Sequence, residues 1–201
     1  MVGAVAGAGA PLVESETSAQ RARRARIIQA TLALASRGGY EAVQMREVAE
    51  RSEVALGTLY RYFPSKVHLL VSAMAHELDT MSSRMQRRTI PGETPRDRVA
   101  YVLERTTRSL QKDPNLTEAM IRAMMAADSS VAGEVTGIRS SMGDLITSAM
   151  HPGGDVADED LARSGILQDV WFARQIAWLG GRIDADQVWA DIERAIDIVL
   201  N

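Results

Sequence analysis

Residues 43–70 read VQMREVAERSEVALGTLYRYFPSKVHLL. Two short runs with an apolar side, residues 45–51 and 56–63, are joined by Ser52-Glu53-Val54-Ala55, and Pro64-Ser65 closes the second. That length and spacing predict a helix-turn-helix. In the first run Met45, Val48 and Ala49 share one face at i, i+3, i+4. In the second, successive residues advance by about 100°, which sets Leu59 and Phe63 on one side with Leu56 close to it. Gly57, Thr58 and Arg61 then point the opposite way, flanked by Tyr60 and Tyr62. This outward set suits a major groove: glycine lets the backbone approach, arginine can grip a guanine edge, and tyrosine can meet a thymine methyl or a phosphate. Arg46 and Lys66 flank the set. Arg21, Arg23, Arg24 and Arg26 precede it as candidate phosphate contacts.

The charge distribution agrees. The 201-residue chain has a net charge of −3, which hides an asymmetry. Residues 18–70 carry nine Lys/Arg against four Glu, whereas residues 71–201 carry fourteen against twenty acidic side chains. A basic block on an acidic body suggests that one end meets a polyanion. Apolar residues make up 46% and charged residues 24%, a globular composition that argues against disorder. With no cysteine, a disulfide scaffold, a thiolate metal site and a cysteine nucleophile are excluded. No run approaches the roughly 18 apolar residues of a membrane span, and the opening MVGAVAGAGAPLVE lacks the basic start of a signal peptide. The expectation is a cytoplasmic protein with no membrane partner.

The pattern is helical throughout, with no alternating β-branched run. Residues 1–17 read as a disordered tail. A helix is expected from Ser18 to Gly38-Gly39, then the two short ones, then a long one over 66–88. Thr94-Pro95 with Asp97, and Asp113-Pro114, are helix starts. Asp128-Ser129-Ser130 opens a segment that His151-Pro152-Gly153-Gly154 closes. Two final helices span 158–179 and 185–200, separated by Gly180-Gly181.

The 43–70 stretch, above all Gly57-Thr58-Leu59-Tyr60, Tyr62-Phe63 and Ser65-Lys66, resembles the DNA-binding signature of the TetR family of bacterial repressors. The segments GGYEAVQMR, VALGTLYRYFPSKVHLLVSA, LTEAM, Asp169-Val170-Trp171 and Ala177-Trp178-Leu179 are similar to the branch of that family that governs cholesterol catabolism. The resemblance implies an all-α fold: a three-helix DNA-binding domain over 18–64 and a helical ligand-binding and dimerisation domain over 65–201. The chain departs from the family pattern in places. Glu53 stands where glycine is usual, so it must accept a left-handed backbone or alter the turn. Ala55 replaces a Ser/Thr cap, Leu56 replaces a common lysine, and Gln44 replaces a capping threonine while remaining a candidate DNA contact.

In the acidic body, eight of the ten methionines lie beyond residue 70, and flexible thioethers suit a surface that adapts to an apolar guest. Leu103, Met120, Ile121, Met124, Met125, Met142, Trp171 and Phe172 are collectively the expected lining of a pocket for a large lipid-like molecule, although for any single methionine core packing is the favoured reading. Arg122, Arg139 and Arg174 are candidates for a polar head group, with nothing to choose among them. Ile166, Val170, Ala173 and Ala177 form one seam, and Trp189, Ile192, Ile196 and Val199 another at spacings of 3, 4, 3. Together they are the expected dimer interface, with an intramolecular core as the alternative.

The function implied is a homodimeric repressor of a palindromic duplex operator, released by a large apolar effector. By the resemblance, that effector is a sterol-derived coenzyme A thioester and no other cofactor is needed. Alternatives are a regulator of another lipid or drug-efflux pathway, an architectural DNA-binding protein, and, remotely, a helical enzyme. Against catalysis, His76-Glu77 lacks the second histidine of a zinc site, and Gly3–Gly9 follows no strand.

Overall fold

The computed structural model describes residues 17–86 and 89–200. Among these residues the chain forms nine α-helices and no strand. They are α1 (Ser18–Ala42), α2 (Met45–Arg51), α3 (Leu56–Tyr62), α4 (Lys66–Gln86), α5 (Pro95–Gln111), α6 (Pro114–Met125), α7 (Ala132–Met150), α8 (Asp158–Leu179) and α9 (Ala185–Leu200), with a 3-10 turn, Ser129–Val131, before α7. The expected disordered tail, apart from Thr17, and the expected end of the fourth helix at Arg88 lie outside the described residues.

Local chemistry explains the boundaries. Thr17 and Thr94 each accept the N3 backbone N–H of the following helix while Gln20 and Asp97 reach back to the cap. Asp113 accepts the Leu116 N–H at 3.0 Å ahead of α6, and Ser65 Oγ accepts the His68 N–H at 3.3 Å ahead of α4. Gly38-Gly39 breaks the first helix, as the pattern predicts, but does not end it. Both glycines leave helical geometry, and one further short turn runs on to Ala42.

The interior falls into two clusters. The first gathers Ile27, Ile28, Leu34, Val48, Leu59, Phe63, Leu69 and Leu70 around the three N-terminal helices and the start of α4. It continues into Ala119, Met120, Ala123 and Ile138 of α6 and α7, so packing does not stop at residue 64. The second cluster joins Val99, Val102 and Leu103 to Leu145, Ile146, Leu167, Trp171, Val188, Ile192 and Ile196.

That second cluster corrects part of the expected interface. Ile192 and Ile196 are 1% and 0% exposed because α9 lays that side on α5 and α8, where Arg96 reaches Asp197 at 2.8 Å and Glu193 at 3.3 Å. Ala177 is also buried, and Trp189 and Val199 are half-buried against the same core. A 3-4 seam marks a buried side, and here the cover comes from the same chain. The outer side of α8 differs: Ile166 is 53% exposed, Ala173 is exposed and Val170 half-buried. Leu161 of α8 and Ile198 of α9 are exposed as well.

Candidate DNA-binding face and effector cavity

The short helix α3 is anchored by its apolar side. Leu59 and Phe63 are buried, and Leu56 and Tyr62 pack partly against the same core. The Arg24 guanidinium sits 5.5 Å from the Phe63 ring centre, a cation–π contact that braces the helix from behind. On the other side Gly57, Tyr60 and Arg61 are exposed and Thr58 is half-exposed. Gln44 and Arg46, at the start of α2, are exposed too.

The turn between α2 and α3 follows the first of the two options that sequence left for Glu53. Its φ is +56°, a left-handed backbone in a residue that is not glycine. The turn closes with Glu53 N–H to Glu50 O at 3.2 Å and Val54 N–H to Ala49 O at 3.0 Å, a Schellman motif with Glu53 at the position that favours glycine. Ser52 is buried, and its hydroxyl donates to Val48 O at 2.7 Å. Neither Ala55 nor Gln44 gives its helix a side-chain cap.

Not all the candidate cations are free. Arg26 Nε donates to Ser52 O at 3.3 Å and so supports the turn, and Arg24 is occupied with Phe63. Arg21 is exposed and Arg23 half-buried. Lys66 is turned inward, its ammonium 3.9 Å from the Tyr40 ring centre. Burial lowers its pKa from the ordinary lysine value, and Glu41 opposes that shift.

Behind this module lies a cavity of about 500 Å³ between α4, α5, α6, α7 and α8, within the size range of small-molecule sites. From α4, Met74, Leu78, Met81 and Met85 face it at spacings of 4, 3, 4, and Ile138 and Met142 come from α7. Trp171 lines it with its ring nitrogen tied to Thr107 Oγ1 at 3.0 Å. Of the expected lining, Met120, Ile121, Met142 and Trp171 are present. Four others are elsewhere. Leu103 is fully buried in the second core and Phe172 packs half-buried against that core. Met124 packs against the N-terminal core, while Met125, the last residue of α6, is 64% exposed. Sequence reasoning missed Tyr101, Arg105 and Ser109 of α5, and Arg84 of α4. The i, i+4, i+8 spacing of the first three was the available signal. The head-group candidates are committed elsewhere: Arg122 to Glu41 at 2.7 Å, Arg139 to Asp169 at 2.9 Å and Arg174 to Asp191 at 3.0 Å.

Helix α6 also grips the end of α1. The Tyr40 N–H donates to Glu118 Oε2 at 2.7 Å, and Asn115 Nδ2 donates to Ser36 O at 3.2 Å. Gly39 has φ +66°, a conformation that favours glycine, and a Cβ there would sit 2.5 Å from the same Glu118 oxygen and displace it. These partners are 78 and 79 residues apart in the chain, and no local pattern could announce them.

Residues 27–73, the exposed-face module, match the family described as bacterial regulatory proteins, tetR family, and residues 92–199 match the tetracyclin repressor-like C-terminal domain. The chain belongs to the TetR family. It is a TetR-type transcriptional repressor and not an enzyme. It is 49% identical over 195 residues to the HTH-type transcriptional repressor KstR of Rhodococcus jostii, covering 96% of this chain and 91% of the relative. A crystal structure of a TetR regulator from Rhodococcus sp. RHA1 superposes with a TM-score of 0.81 at 37% identity, over 92% of this chain and 98% of that one. The Thermus thermophilus repressor FadR, in complex with lauroyl-CoA, shares the fold with a TM-score of 0.70 at 20% identity, over 88% and 93% of the two chains.

Proposed function

We propose that this TetR repressor binds a palindromic duplex operator as a homodimer and is released by a large apolar effector held in the α4–α8 cavity. The observation that carries the reading is the division of α3: Leu59 and Phe63 are buried while Gly57, Tyr60 and Arg61 are bare. In this reading residues 18–64 form the DNA-binding domain, with Gln44, Arg46, Gly57, Thr58, Tyr60, Arg61 and Tyr62 at the groove. Arg23, Arg24 and Lys66 serve the phosphates, the last two only by leaving the rings they now touch. Residues 65–201 form the effector and dimerisation domain, joined to its copy through the outer side of α8 around Ile166, Val170 and Ala173. Paired modules then read half-sites about 34–36 Å apart or a multiple of that. The repressor acts in the cytoplasm, on chromosomal DNA.

The effector in this reading is a sterol-derived coenzyme A thioester. Support comes from the resemblance to the cholesterol-catabolism branch and from a cavity lined by methionines. A fatty acyl thioester is the second reading, favoured by the lauroyl-CoA held by the same fold in FadR. Coupling runs through two helices. α4 carries both cavity-facing methionines and residues of the N-terminal core, and α6 carries Met120 and Ile121 on one side and the grip on α1 on another. An effector that prefers one arrangement of these helices shifts the population away from the DNA-binding form.

A gel shift on the gene's own upstream region tests this, with cholesterol catabolites, their coenzyme A thioesters and lauroyl-CoA titrated in. Release by a sterol thioester is expected. Release by lauroyl-CoA alone selects the second reading, and no shift with any upstream duplex overturns the DNA-binding surface.

A further inference from the structure

The cavity lining is graded in polarity. Its buried residues are apolar apart from Thr106 and Thr117, whose hydroxyls already donate to Val102 O at 2.8 Å and Leu110 O at 2.7 Å. Its exposed residues are polar: Glu77, Arg84, Thr89, Arg105 and Ser109. Most of the described arginines of the acidic body have partners within the protein. Seven of those described beyond residue 70 face a carboxylate, and Arg98 donates to four backbone carbonyls. Among the described arginines of that body, only Arg84, Arg105 and Arg182 have side chains with neither ion pair nor hydrogen bond, and two of these three stand on the cavity rim.

Unpaired guanidiniums beside an apolar chamber have a chemical meaning. Carboxylates and phosphates are the groups a guanidinium holds with two parallel hydrogen bonds. Asp113 also lines the cavity, but its Oδ1 accepts the Leu116 N–H as the α6 cap. Glu77 precedes Arg84 by seven residues on α4, roughly 10 Å along the axis, and the two form no ion pair. We propose that Arg84 and Arg105 bind the anionic end of an amphipathic effector whose apolar body fills the cavity. The site thereby selects for a negative head group as well as for apolar bulk. This deepens, and rests on, the effector reading above.

The full-length protein and its R84Q/R105Q variant are compared by calorimetric titration with paired ligands. One set is a cholestenoic acid, its coenzyme A thioester and the neutral parent sterol; the other is lauroyl-CoA and dodecanol. The parent protein is expected to bind each anionic ligand about tenfold more tightly than its neutral partner. The variant is expected to lose that preference, hold the neutral ligand as before, and melt at the parent temperature, since neither arginine has a partner within the protein. Loss for the thioester alone assigns the anion to the phosphates of coenzyme A; loss for both assigns it to either group. If lauroyl-CoA binds in this arginine-dependent way and no sterol species binds, charge selection stands and the sterol reading falls. A variant that keeps the preference within twofold, an equal loss for neutral ligands, or a parent protein that binds none of the probes overturns the proposal.

Discussion

Replacing Glu53 by glycine should make this repressor more stable, a result opposite to the usual effect of adding glycine to a fold. The side chain is exposed and has no ion pair or hydrogen bond among the described residues, so the substitution removes no contact. What it removes is the cost of holding an L residue at φ +56°, about 1–2 kcal/mol. Against this stands the extra freedom of glycine in the unfolded chain, about 0.4–1 kcal/mol. The net gain is roughly 1 kcal/mol, or a melting temperature higher by about 2–4 °C for a chain of this size. The closing bonds, Glu53 N–H to Glu50 O and Val54 N–H to Ala49 O, are backbone bonds and survive. Glu53→Ala is the matched control, since it removes the same charge and leaves the left-handed strain. Urea or thermal unfolding of the full chain reads both variants. Equal stabilisation by alanine and glycine would show that charge, not backbone conformation, governs the turn, and destabilisation by glycine would refute the strain argument outright.

Ile166→Asp should weaken self-association in sedimentation while leaving each protomer folded, because Ile166 is 53% exposed. Ile192→Asp should instead unfold the protomer, costing more than about 3 kcal/mol, because it buries an unpaired charge. Met142→Trp fills part of the cavity and should give a repressor that still shifts operator DNA but no longer responds to effector. Tyr60→Ala should reduce specific operator binding far more than binding to random duplex in a competition gel shift. Acid should destabilise the fold in a defined window. The Asp97 carboxyl is held below the usual carboxylate range by hydrogen bonds from the Thr94 hydroxyl and N–H, and Asp160 chiefly by the Ala157 N–H with help from His151. Groups depressed in the folded state contribute stability above the unfolded value, about 3.9, and lose it as pH falls through the folded one. The melting temperature should therefore drop below about pH 4, and less steeply in Asp97→Asn.

Much of this molecule was legible along the chain. Helix starts at Thr94 and Asp113, the two seven-residue helices around Ser52–Ala55, and the buried and bare sides of α3 all depend on neighbours within four residues. Caps, turns and 3.6-residue periodicity act over that range. The strained position of Glu53 could likewise be located, and the structure chose between its two possible outcomes. What sequence could not decide was the identity of each partner across the fold. An apolar seam states that a side is covered, not by whom, and so Ile192 and Ile196 went to their own core while Ile166 stayed bare. A methionine states that space is filled, not whether the space is core or chamber, and so Met120 met the cavity while Met125 met solvent. Arginines are the sharpest case. Arg122, Arg139 and Arg174 found carboxylates on other helices, Arg84 and Arg105 found none, and only three-dimensional packing sets which charges meet, because ion pairing depends on distance in space rather than on separation along the chain.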